Sequence, residues 1–119
     1  MILLNKKHYN VFKTELKLSD LEIELFLLLV GKGMMTSQQI SLSLNLDTQT
    51  SNKLIKSLLK KNMIIEYSFN LFETFHPRFA IINRYKTMCI ENNIKFKKNL
   101  SIDNLAIALE KPFDAARTK

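Results

Sequence analysis

Apolar positions recur at helical spacing along SDLEIELFLLLVGKG, where Leu21, Leu25, Leu28 and Leu29 share a face that Phe26 and Val30 widen. Ser19 with Glu22 three residues on forms a capping box, each side chain serving a backbone N–H of the other. Gly31 and Gly33 then end the helix, because glycine turns through positive φ without a steric penalty. The pattern predicts a buried supporting helix. Ahead of it, Leu4, Tyr9, Val11, Phe12 and Leu16 are spaced more loosely, as a short helix or arm packed on the next element.

Thr36 with Gln39 opens a second capping box over TSQQISLSLNL, whose few apolar residues predict a short helix. Asn45 and Asp47 bracket a tight turn, and Asp47 or Thr48 caps the helix that follows. In DTQTSNKLIKSLLKKN, Ser51, Leu54, Ile55, Leu58 and Leu59 fall on one side and Gln49, Asn52, Lys53, Lys56 and Lys60 on the other. Asn62 closes this helix.

The period then shortens. MIIEYSFNLFETF is β-branched and aromatic around Asn70, which predicts a hairpin of strands at about Ile64 to Ser68 and Phe72 to Phe75. His76-Pro77 starts a long helix that stops at Asn92-Asn93, since proline suits a first helical turn. IKFKKN reads as a basic connector. SIDNLAIALEKP reads as a last short helix, capped by Ser101 or Asp103 and ended by Pro112, with a mobile tail over residues 112–119.

Two glycines and two prolines in 119 residues favour helices and short turns over a sandwich or barrel. The length suits one domain: a core over residues 15–76, a helical extension over 77–111 and the tail. No apolar run predicts a membrane span, and Met1 to Leu4 is too short for a signal peptide. Cys89 as the single cysteine suits a reducing, cytoplasmic setting. The net charge of +7 is unevenly placed: residues 48–98 hold ten basic and three acidic side chains, while both flanks balance. A localised positive surface is the footprint of a polyanion binder.

Two short helices about a tight turn, a support before and a hairpin after, predict a winged helix-turn-helix within a mainly α fold. The second helix of such a pair enters a DNA major groove. Thr48, Gln49, Thr50 and Asn52 offer small hydrogen-bonding groups for base edges, and Lys53, Lys56 and Lys60 follow where phosphates flank the groove. Thr36, Ser37 and Gln38 open the first helix of the pair, where N–H groups and the dipole suit a phosphate. Arg78 and Arg84 are further phosphate candidates. The hairpin tip SFNLF has no Lys or Arg and is flanked by Glu66 and Glu73, so little DNA affinity is expected from it.

The run LSDLEIELFLLLV through MTSQQISLSLNLDTQTSNKLIKSLLKKNMIIE resembles the DNA-binding domain of archaeal TrmB-type transcriptional regulators. It shares an LS-x-LE-x-E opening, a small polar helix, and L-x7-LI-x-SL-x-KKN leading into a strand. The resemblance covers about residues 15–92, with HPRFAIINRYK as the helix behind the wing. It implies a homodimeric winged-helix regulator of transcription with a basic recognition-helix residue at Lys56. Asn52 stands where relatives commonly carry an aromatic and Ser51 where they carry an apolar β-branched residue. The large sugar-binding portion typical of such relatives has no counterpart in this length, so a regulator with no ligand domain of its own is expected, and no small-molecule ligand is evident.

The helix from Pro77 is apolar on two sides, which a second copy would cover; Phe79, Ile82, Tyr85 and Cys89 are the dimerisation candidates. His8, His76 and Cys89 make no metal-ligand set, GKG lacks the spacing of a phosphate loop, and no catalytic constellation stands out. The expectation is therefore a non-enzymatic DNA binder without metal or cofactor. Two alternatives remain: a winged helix serving as a protein-interaction module in a transcription or replication assembly, and a non-specific chromatin protein.

Overall fold

The computed structural model describes residues 4–117. In chain order these form α1 (Lys6–Thr14), α2 (Asp20–Lys32), β1 (Met35–Thr36), α3 (Ser37–Leu44), α4 (Thr48–Lys60), β2 (Ile64–Ser68), β3 (Leu71–Thr74), α5 (Pro77–Glu91) and α6 (Leu100–Arg117). The fold is mainly helical, with a small antiparallel sheet in the order β1-β3-β2.

α2 is the central element, touched by α3, α4, α6 and β3. Both halves of its capping box are made: the Ser19 N–H donates to Glu22 Oε1 at 2.9 Å and the Glu22 N–H to Ser19 Oγ at 3.2 Å. Neighbours on several sides bury Ile23, Leu25, Phe26, Leu27, Leu29 and Val30. The single stripe expected from Leu21 and Leu28 is therefore corrected, for Leu21 lies at the surface and Leu28 only half-buried. Phe26 meets Phe12 of α1 edge-on, ring centroids 6.1 Å apart. The helix runs through Gly31 and turns at Gly33, where φ is 86°.

β1 was not legible in the sequence, since two residues carry no alternation. It pairs Met35 with Phe72 and Thr36 with Leu71, tying the start of α3 to the hairpin. β3 starts one residue earlier than expected. Asn70, at φ 58°, makes the turn, and the β2–β3 register slips between Glu66 and Ser68.

α6 departs most from expectation. Its opening is held by Asn99, whose Oδ1 accepts from the Ser101 N–H at 3.0 Å, and not by Ser101 or Asp103. It continues through Pro112 to Arg117. Proline forfeits a backbone bond inside a helix, but the last turn is anchored by tertiary contacts. Arg117 donates to the Val30 carbonyl at 2.8 Å and the Leu29 carbonyl at 3.1 Å, pairs with Glu73, and stacks on Phe113 at 3.6 Å. The expected mobile tail is thus helical as far as Arg117. Thr118 and Lys119 lie outside the described residues, as do Met1 to Leu3 of the apolar start.

Candidate nucleic-acid interface

The turn between α3 and α4 is built by local hydrogen bonds. Asn45 takes the left-handed conformation at φ 56° and closes α3. Asp47, rather than Thr48, caps α4 by accepting the Thr50 N–H at 3.1 Å. The Thr50 side chain and N–H hold the Asp47 carboxyl below its ordinary value.

α4 is positioned by its inner face, on which Ser51, Ile55 and Leu58 are buried. Ser51 Oγ meets Ser41 Oγ of α3 at 2.5 Å and donates to the Thr48 carbonyl at 3.2 Å. Two small hydroxyls thus fill the contact between these helices. Ser51→Leu is expected to lower unfolding free energy by about 1–3 kcal/mol through overpacking, read by urea denaturation.

A buried carboxylate fixes the other end of α4. Glu22 Oε2 accepts from Ser57 of α4 and pairs with Lys61 at 2.5 Å. Burial alone would raise the Glu22 carboxyl, but the Lys61 ammonium, the Ser19 N–H and the Ser57 hydroxyl outweigh it and hold it below its ordinary value of 4.5. The unfolded carboxyl therefore binds its proton at higher pH than the folded one. The stabilisation is complete above the unfolded value and fades as pH falls below it through the folded value. Urea midpoints are expected to drop with acidification across that window, and the drop to shrink in Glu22→Gln.

The outer face of α4 is open. Thr48, Gln49, Asn52, Lys53, Lys56 and Lys60 are exposed and Thr50 is half-buried. None of these three lysines makes an ion pair among the described residues, and α4 has no acid. Lys61, adjacent in sequence, belongs to the interior network instead. Sequence reading missed that partnership because Glu22 lies 39 residues away.

Thr36 is the N-cap of α3, with both halves of its capping box formed, so its hydroxyl already accepts the Gln39 N–H at 3.1 Å. Ser37 is half-buried and Gln38 exposed. Arg78 is exposed but held by Glu110 of α6. Arg84 is a correction: it is buried, its Nε donates to the Leu16 carbonyl at 3.0 Å, and it cannot reach a phosphate. The cause is its place on the face of α5 that also carries Ala80, Ile81 and Met88 inward. Cys89 is a correction on the same ground, being buried and closed to a second copy. Ile82 and Tyr85 are half-buried, and Phe79 is 53% exposed.

At the hairpin tip Phe69 is 97% and Tyr67 66% exposed. Glu66 accepts the Asn70 N–H at 2.8 Å, while Glu73 is engaged with Arg117 and so does not flank a free tip. His76 caps α5, its Nδ1 accepting the Arg78 N–H at 3.1 Å. Among the described residues no cluster of three His, Cys, Asp or Glu could hold a metal ion, and no helix is long and apolar enough to cross a membrane. No protein-family model, curated protein or solved structure matches the chain.

Proposed function

We propose that the chain is a winged helix-turn-helix protein that binds double-stranded DNA sequence-specifically and regulates transcription. α4 lies in the major groove, with Thr48, Gln49 and Asn52 at base edges and Lys53, Lys56 and Lys60 at phosphates. One observation carries this reading: the amides and lysines of α4 stand together on its exposed face, the helix has no acid of its own beyond the Asp47 that caps it, and its apolar face is packed into the fold. The protein works as a homodimer, so two copies of α4 read half-sites about 34–36 Å apart or a multiple of that. Of the expected pairing residues, Phe79 is the one most open to a partner.

Selection of bound duplexes from a random pool tests this. Enriched paired half-sites are the expected result, with affinity falling steeply as salt rises because phosphate neutralisation releases counterions. Binding without sequence enrichment favours a chromatin protein, and absence of salt-sensitive binding removes the reading.

A second reading, a protein-interaction module, is favoured by the exposed Phe69 and Tyr67, which present aromatic surface on a hairpin tip whose residues 67–71 include no Lys or Arg. Aromatic side chains of that kind anchor protein interfaces.

A further inference from the structure

α5 and α6 pack together and, with the connecting segment 92–99, enclose a cleft of about 440 Å³. Small-molecule sites run to roughly 300–1,000 Å³ and are mostly apolar with a few placed polar groups. Here Ile82 of α5, Phe96 of the connector and Ile102, Ala106 and Ile107 of α6 supply apolar walls. Phe96 and Ile107 remain 45% and 57% exposed, apolar surface that an occupant would take from water.

The polar groups have a definite sign. Lys97 and Lys98 line the cleft and make no ion pair among the described residues. Arg78 also lines it, with Glu110 already holding its guanidinium, and Asp103 is the acid in the lining. The Tyr85 hydroxyl accepts from Asn99 Nδ2 at 3.3 Å, so its own O–H remains a donor. Two ammonium groups and a phenol beside an apolar floor match an anion with an apolar body. A second copy paired through Phe79 leaves the cleft free, because Phe79 is not among the residues that line it.

We infer that this cleft binds a small amphipathic carboxylate, with its apolar body between Ile82, Phe96 and Ile107 and its carboxylate at Lys97 and Lys98. Charge-assisted hydrogen bonds make that end the determinant of selectivity.

The test is titration of the full chain with 2-naphthoate in the absence of DNA, followed by isoleucine methyl NMR and calorimetry. The methyls of Ile82, Ile102 and Ile107 are expected to shift while those of Ile40 and Ile55 stay. The neutral analogue 2-naphthylmethanol binds about tenfold more weakly, as loss of a charged hydrogen bond predicts. Lys97→Gln with Lys98→Gln lowers naphthoate affinity by a similar factor and leaves the alcohol unaffected. Three results overturn the inference: no shift at these methyls up to millimolar naphthoate, equal affinity for the alcohol, or shifts that follow protein concentration alone. Because DNA is absent, failure here is distinct from failure of the α4 reading.

Discussion

Lys53→Glu combined with Lys56→Glu is expected to weaken duplex binding by about two orders of magnitude at physiological salt, since both ends of a favourable phosphate contact become like-charged. Neither side chain packs into the fold, so the circular dichroism spectrum and urea midpoint stay where they are. The neutral pair Lys53→Gln and Lys56→Gln separates charge from side-chain loss. Each lost phosphate contact flattens the log–log salt dependence by about 0.9, so fluorescence anisotropy across a salt series should show a slope lower by about 1.8 for each copy of α4 on the duplex, or about 3.6 for the dimer. Gln49→Ala with Asn52→Ala acts differently: the salt slope is kept and discrimination between sequences falls. An unchanged slope in the neutral pair removes α4 from the interface.

Arg84→Ala carries the largest expected effect on stability. The guanidinium Nε satisfies the carbonyl of Leu16, which is itself buried, and Nη1 lies 3.9 Å from Glu91. Burial lowers the Arg84 pKa, while Glu91 and Glu22 favour its charge. Truncation strands the carbonyl and leaves the space of a long side chain empty, which together cost about 3 kcal/mol. In a domain of this size that is about 10 °C in Tm. Lysine at this position recovers little, because an ammonium lacks the planar, directed donors. DNA affinity of the folded variant is expected to match the parent. A variant with unaltered Tm and weakened DNA binding would return Arg84 to the surface role its sequence position suggested.

The helices, the capping residues of α2, α3 and α5 and the hairpin were legible because each is a local matter. Ser19 with Glu22, Thr36 with Gln39 and Pro77 act within one turn of chain, and alternation between period 3.6 and period 2 needs only neighbours. The split faces of α4 were legible on the same ground. Apart from the local cap of α6 by Asn99, the larger errors arose where a distant partner decided. Pro112 is a helix breaker by local rules, yet α6 passes it because Arg117 finds α2 and β3 more than 40 residues away. β1 exists only through its pairing with β3.

What the sequence determined alone was the helices, the β2–β3 hairpin and the segregation of lysines and amides from the apolar side of α4, since local periodicity fixes which residues share a face. Tertiary structure decided which charges remain available. Lys60 stays in solvent while Lys61 turns to Glu22, and Arg78 stays at the surface while Arg84 goes inward. A charged side chain enters the interior only where a carboxylate or carbonyl waits to receive it, and in both cases that acceptor lies tens of residues away along the chain.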